Sequence, residues 1–299
     1  MAAHCASNCP TPPRDSPRFG EVPLPAVTPD LSDREFYQFS RLIHQHAGIQ
    51  LSVQKKELVR ARLTKILKAR GVTSFADYYR EVMADQSGLE LVALLDAIST
   101  NQTSFWREAG HFIFLAQELL PGWRRQRRGP PAWKLWSAGC SSGEEPYTLA
   151  MTLLDTFPAE DLGKVRILAS DLNTRVLAQA RQGVYPLARL ESLPGDWRRR
   201  YFQKGVQRWE GYARVKPEVR QMVEFFRLNF MEPFAFPEEF DVIFCRNVMI
   251  YFDRVHQEML VNRFHHCLRP GGYFFIGHSE SLCNIEHRFS YVKPTIYRK

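Results

Sequence analysis

No stretch of the 299 residues approaches the ~18 consecutive apolar residues that a membrane-spanning helix requires, and no continuous apolar segment of a secretory signal opens the chain. Membrane insertion and export are therefore not expected. The six cysteines stand apart at positions 5, 9, 140, 245, 267 and 283. None forms the Cys-x-x-Cys pair of a zinc site, so reduced thiols in a cytosolic protein are expected. The sequence also lacks internal repeats, a Ser-His-Asp set and any metal-ligand spacing, and no metal is expected. What it does have is a net charge of +8, which favours an acidic partner without saying of which kind.

Residues 1–30 hold seven of the nineteen prolines and no apolar periodicity; they read as a disordered tail. Residues 31–98 read as an all-α domain. Ser32 with Glu35 makes a capping box, Phe36, Phe39, Ile43 and Ala47 follow at helical spacing, and Gly48 suits the C-terminal cap. A second helix spans Ser52 to Arg70, with an apolar stripe of Val59, Leu63, Ile66 and Leu67. Around it stand Lys55, Lys56, Arg60, Arg62, Lys65, Lys68 and Arg70 against Glu57 alone. Most of the chain's excess charge thus sits on helix 52–70, either as a solvated face or as a dock for an acidic helix. Ser74 starts a third helix, with Phe75, Tyr78, Tyr79, Val82 and Met83 on one face. Leu89 to Ile98 gives a fourth. Residues 99–132 read as a linker, packed rather than loose, and the first helix of the next domain.

From residue 133 to 299 strands alternate with helices. The unit Trp133–Trp136, small-residue loop, Pro146–Leu154 is the opening of a doubly wound α/β fold, which binds ligands at the carboxyl ends of its strands. Gly139 and Gly143 allow close approach of backbone to a ligand. Glu144 and Glu145 would repel a pyrophosphate there and suit a ligand with hydroxyls or positive charge, such as S-adenosylmethionine. An ordinary tight turn with a solvated Glu pair fits the same residues. Val165–Asp171 is the second strand, and Asp171 suits either ribose hydroxyls or the cap of the helix from Asn173 to Arg181. Val223–Asn229, Phe240–Asn247 and Tyr273–Ile276 are further strands. A helix from Glu258 to Leu268 ends at Pro270-Gly271-Gly272, and Tyr291–Arg298 is a terminal strand. About residues 185–220 a small β insertion interrupts the alternation. Val206–Trp209 and Tyr212–Val215 suggest a hairpin there, with an edge open to an extended peptide.

Five motifs stand in order: Asn-Gln-Thr-Ser-Phe-Trp-Arg (101–107), Gly-Glu-Glu-Pro-Tyr (143–147), Ser-Asp-Leu-Asn (170–173), Phe-Cys-Arg-Asn-Val-Met-Ile-Tyr-Phe (244–252) and Gly-His-Ser-Glu (277–280). Together they resemble the chemotaxis receptor glutamate methyltransferase family, CheR, from about residue 31 to the C-terminus. The resemblance implies a class I S-adenosylmethionine-dependent methyltransferase domain with a β subdomain, preceded by an all-α domain. It implies methyl transfer to glutamate γ-carboxylates of chemoreceptors, with S-adenosylhomocysteine as product. By motif match, Asn101, Thr103, Arg107, Glu144, Asp171, Asn229, Phe230, Arg246 and Asn247 would line the cofactor site. Arg107 and Tyr251 would lie nearest the transferred methyl. It also implies a cytoplasmic monomer recruited to receptor arrays, docking receptor helices through helix 52–70 and a receptor tail peptide through the β subdomain. Trp106 stands where Phe is usual, a conservative change.

The chemistry agrees with the residue types. A glutamate carboxylate, pKa ~4.3, is already ionised at neutral pH, so no general base is needed. Positioning alone can supply ~7–11 kcal/mol of the barrier. Two other readings are weaker. A base-modifying methyltransferase carries Asn-Pro-Pro-aromatic after its fourth strand to stack a flipped base, whereas here the run is Asn247-Val-Met-Ile-Tyr251, so no nucleic acid partner is expected. A non-catalytic binding module on the same fold leaves Arg107, Asp171 and Tyr251 without purpose.

Overall fold

The computed structural model describes residues 30–122, 133–158, 162 and 165–299. The proline-rich tail, Asp30 apart, and residues 123–132 of the expected linker lie outside the described residues.

Four helices, α1 (Asp33–Ala47), α2 (Lys56–Arg70), α3 (Phe75–Ala84) and α4 (Leu89–Ile98), make the N-terminal unit. Ser32 caps α1 in a complete capping box with Glu35, and Gly48 closes it in the left-handed conformation, as the side-chain pattern requires. Helix α2 is preceded by a single 3₁₀ turn, Val53–Lys55, and ends at Gly71. Its stripe Val59, Leu63, Ile66 and Leu67 is buried with Phe39, Tyr78 and Leu94 in one core. Met83, expected on the apolar face of α3, is instead largely exposed.

The second unit is built on a seven-stranded sheet. Its strands are β1 (Trp133–Ala138), β2 (Val165–Asp171), β6 (Val223–Arg227), β7 (Phe240–Cys245), β8 (Leu268–Ile276), β9 (Ser290–Lys293) and β10 (Ile296–Arg298), in the order β6-β2-β1-β7-β8-β10-β9. The five strands up to β8 run parallel, and β10 is antiparallel to both its neighbours. The chain reverses direction across the sheet between β1 and β7, the place where doubly wound sheets bind ligands. Alternate residues serve opposite faces. Trp133 and Leu135 of β1, Val242 and Phe244 of β7, and Phe275 of β8 pack under helix α5 (Gly110–Phe114) with its π-helical continuation Leu115–Leu119, and under helix α6 (Glu144–Thr156). Trp136, Ile243 and Phe274 pack on the other side with helix α8 (Arg254–Cys267). Helix α7 (Thr174–Gln182) covers a smaller cluster beside β2.

Three expectations need correction. The terminal strand is a hairpin, β9 and β10, turned at Thr295 with φ 63°. The Pro-Gly-Gly run does not end a helix. Helix α8 stops at Cys267, and the run lies inside β8, where two steps on β7, Phe240 to Val242, face five on β8, Leu268 to Tyr273; a bulge absorbs the difference. The insertion is a three-stranded antiparallel sheet in which β5 (Tyr212–Val215) lies between β3 (Val184–Pro186) and β4 (Phe202–Lys204). Residues Gln207–Trp209 form a 3₁₀ turn there, not a strand.

Candidate cofactor cleft

A cleft of about 1220 Å³, open mouth included, lies where the ends of β1, β2 and β7 meet the N-terminal helical unit. One wall is the sheet side: Gly139, Ser141, Glu145, Asp171, Asn229, Arg246 and Asn247. The opposite wall is Ile49, Leu51, Lys55, Leu58 and Arg62 from the helical unit, and the linker Asn101–Ser104 with Arg107 closes one end.

The sheet wall is a network of fastened charges. The Arg246 side chain is only 2% exposed; its Nε and Nη2 donate to Glu108 Oε2 at 3.1 and 2.9 Å, and its Nη1 stands 3.2 Å from Glu145 Oε2. It also donates to the carbonyl of Arg107 and lies over the rings of Phe112 and Phe244. Burial acts to raise the Glu108 carboxyl, but the Arg246 guanidinium and the His278 N–H outweigh it and hold Glu108 below the usual carboxylate range. Glu145, which accepts from Ser137 Oγ at 2.7 Å, is instead pushed up by burial against the pull of Arg246. Asp171 accepts the backbone N–H groups of Ser141 at 2.8 Å and Asn173 at 2.9 Å, and burial raises it too. The cap of α7 is Asn173, whose side chain accepts from Arg175 and Val176. Asp171 is thus held by the backbone at the edge of the cleft that it lines.

Two strained positions aim the linker. Trp106 and Glu108 both have φ 56°, a conformation that costs of order 1–3 kcal/mol for such residues. Trp106 is held there by stacking on Phe112 at 5.3 Å and an edge contact with Trp197 at 5.0 Å. The turn turns Glu108 inward to Arg246 and leaves Arg107 at the cleft, where its Nη1 donates to the Gln102 carbonyl at 2.9 Å. Among the described residues no carboxylate pairs with the Arg107 guanidinium.

The segment carrying Asn247 to Tyr251 is set by one carboxylate. Glu280 accepts the backbone N–H groups of Gly277, Asn247, Val248 and Met249 at 2.6, 2.9, 2.9 and 2.7 Å. Asn247 has φ 57° and passes so close to Gly277 that a Cβ there would lie 2.6 Å from Asn247 Nδ2. The Tyr251 hydroxyl is pushed above its ordinary pKa by burial, which the Arg107 and Arg62 charges only partly oppose.

Comparison with known proteins gives the same answer from another direction. A family model described as "CheR methyltransferase, SAM binding domain" matches residues 101–298, and one described as "CheR methyltransferase, all-alpha domain" matches 34–99. The chain belongs to the CheR methyltransferase family. The chemotaxis protein methyltransferases of Salmonella typhimurium and Escherichia coli are each 41% identical to it over 268 residues, 89% of this chain and 90% and 91% of theirs. Chemotaxis protein methyltransferase 2 of Pseudomonas aeruginosa is 41% identical over 264 residues, 88% of this chain and 92% of that one.

In this CheR chain the cleft brings together Asn101, Thr103, Arg107, Asp171, Asn229, Phe230, Arg246, Asn247 and Tyr251. Glu144 is not among them. It is fully buried beneath the β subdomain, where Arg189 pairs with it and Ser142 Oγ donates to it at 2.7 Å. The next residue, Glu145, faces the cleft; successive residues of a helix point about 100° apart, and the sequence alone does not say which of the pair looks inward. The glycines also have a packing role. A Cβ on Gly139 would sit 2.3 Å from Val248, and one on Gly143 2.9 Å from Ala180 and the Tyr185 hydroxyl. Both allow close packing of the chain on itself, and Gly139 also lines the cleft. His278 lends its backbone N–H to Glu108 at 3.1 Å and places its ring 5.3 Å from His111. Glu108 had no signal as a site residue because its work is to hold Arg246, and Glu280 stood in the Gly-His-Ser-Glu motif without an assigned role because its work is to hold backbone N–H groups.

Proposed function

We propose that this protein transfers the methyl group of S-adenosylmethionine to glutamate γ-carboxylates of chemoreceptors. The reading rests on one arrangement: a cleft at the switch point of the sheet, lined by the carboxylates Asp171 and Glu145 and by Arg107, with no His or Cys among its described lining residues to act as a general base. In it Asp171 takes the ribose hydroxyls and Glu145 draws the positive end of the cofactor. Asn101, Thr103, Asn229, Phe230 and Asn247 fix its orientation. Arg246 sets the shape of the wall through Glu108 and Glu145. Arg107 and Tyr251 flank the methyl, and the guanidinium aligns a carboxylate with charge-assisted hydrogen bonds. The attacking oxygen of the target glutamate displaces S-adenosylhomocysteine in line, and the ester carries no charge.

In this reading residues 31–98 meet receptor helices through 52–70, residues 99–132 connect, and 133–299 carry the chemistry. The sheet within 185–220 is the place for a receptor tail peptide, and the protein works as a monomer in the cytoplasm at receptor arrays. The α2 surface is less basic than its sequence suggests, because Lys56 bonds Asp33, Arg60 bonds Glu57 and Arg70 bonds Glu90. Arg62 ties down the carbonyls of Ile98 and Ser99. Exposed Lys65 and Lys68 are left for a partner. The test is transfer of labelled methyl from S-adenosylmethionine to receptor-rich membranes. Label released as methanol by mild base supports a carboxylate ester; base-stable label, or none, overturns the reading.

A further inference from the structure

His44, in the last turn of α1, and Asp253 and His256, at the start of α8, come together although His44 and Asp253 are 209 positions apart. His44 Nε2 lies 2.8 Å from Asp253 Oδ2, and His256 Nδ1 lies 2.8 Å from Asp253 Oδ1. The two imidazole rings meet edge to face at 5.2 Å, and one ligand atom from each residue falls within 4.8 Å of the others. The group is half-exposed, so an ion can reach it from solvent and water can complete its shell.

We propose that His44, Asp253 and His256 form a binding site for a divalent transition-metal ion of the zinc type. Two imidazole nitrogens and one carboxylate with an open fourth position are a donor set that zinc accepts. Ligand atoms about 2.0–2.2 Å from zinc stand roughly 3.3 Å apart, so each His–Asp pair opens by about half an ångström from 2.8 Å, within a set whose ligand atoms already lie within 4.8 Å of one another. Without an ion, each imidazole donates a ring N–H to one carboxylate oxygen. With one, the ring proton sits on the far nitrogen and the lone pair turns to the metal. Asp253 already gathers the two ring nitrogens that would ligate around one carboxylate.

The site joins the two segments that run into the cleft wall. Ala47 and Ile49 follow His44, and Tyr251 and Phe252 precede Asp253; all four line the cleft. They already touch through a bridge between Ile49 and Phe252 and the bond from Gln50 N–H to the Tyr251 carbonyl at 2.9 Å. An ion adds a cross-link between helical unit and sheet unit next to Tyr251. The inference concerns metal uptake and stands or falls apart from the methyl-transfer reading.

The test is calorimetric titration of the chelator-treated full chain with zinc chloride, paired with visible absorption on cobalt(II) loading. The expected result is one saturable ion per chain, a cobalt spectrum without the near-ultraviolet band of thiolate ligation, and affinity lower by about tenfold or more in His44→Ala and in His256→Ala. Asp253→Asn keeps the helix cap while losing the anionic ligand, so it folds and binds more weakly. Zinc also raises the unfolding temperature of the wild type by more than that of these variants at the same concentration. No saturable uptake by the wild type, uptake that all three variants leave unchanged, or a thiolate band overturns the proposal.

Discussion

The two walls of the cleft are built on opposite principles. On the sheet side the charges are largely buried and fastened: Arg246 to Glu108 and Glu145, Asp171 to two backbone N–H groups, Glu280 to four. On the helical side Ile49, Leu51 and Leu58 present apolar surface, with Leu58 44% exposed, and Lys55 reaches over the Tyr251 ring at 5.9 Å. A wall of fixed dipoles suits a ligand of constant shape and charge, since it costs no reorganisation when the ligand arrives. A wall of adaptable apolar and basic side chains suits the changing surface of a protein substrate. On the proposed function, the difference teaches that cofactor and substrate requirements are met by separate parts of the chain that share one cavity.

The comparison breaks most visibly at Arg246. Arg246→Ala leaves two carboxylates in a buried site without their cation, so a loss of roughly 3–5 kcal/mol of stability is expected in denaturant unfolding; a loss below about 1 kcal/mol would show that the sheet wall is not held by charge. Next comes Asp171→Asn, expected to weaken S-adenosylmethionine binding about tenfold or more, one charged hydrogen bond being worth ~1.5–3 kcal/mol. Calorimetry checks it, and unchanged affinity removes Asp171 from the ribose. Arg107→Ala is expected to lower the rate of methyl transfer by about tenfold or more while the fold stays intact; near-normal transfer removes Arg107 from the site.

The helical wall is probed by charge reversal. Changing Lys56, Arg60 and Lys65 to Glu tests the dock but also disturbs the ion pairs of Lys56 and Arg60. Lys65→Glu with Lys68→Glu is the sharper pair. It should slow receptor methylation severalfold at low salt, less as salt screens the surface over ~8 Å, with cofactor affinity unchanged. Equal loss of cofactor binding would merge the two walls into one. The smallest effect is in pH. The folded-state pKa of Glu108 lies below its ordinary value of 4.5, so its stabilising contribution is complete above about that pH and fades as pH falls through the folded value. Glu108→Gln should accordingly flatten the acid limb of the stability curve; an unchanged limb would place the acid sensitivity elsewhere.

Local chemistry decided much of this molecule. A capping box at Ser32, glycines after α1 and α2, and apolar-rich strands at β2 and β7 are legible because each depends on residues within a turn or a strand of one another. The order of the motifs was enough to place the family, and with it the cofactor. What the tertiary structure decided concerns direction and distance. Only the packed helix α6 turns Glu145 rather than Glu144 into the cleft, because a 100° step separates neighbours and the β subdomain with Arg189 claims one side. The positive φ at Trp106 and Glu108 exists because Phe112 and Trp197 hold Trp106 in place. Asp253 meets His44 across 209 positions because two units close on a shared cavity, and no spacing along the chain records that closure.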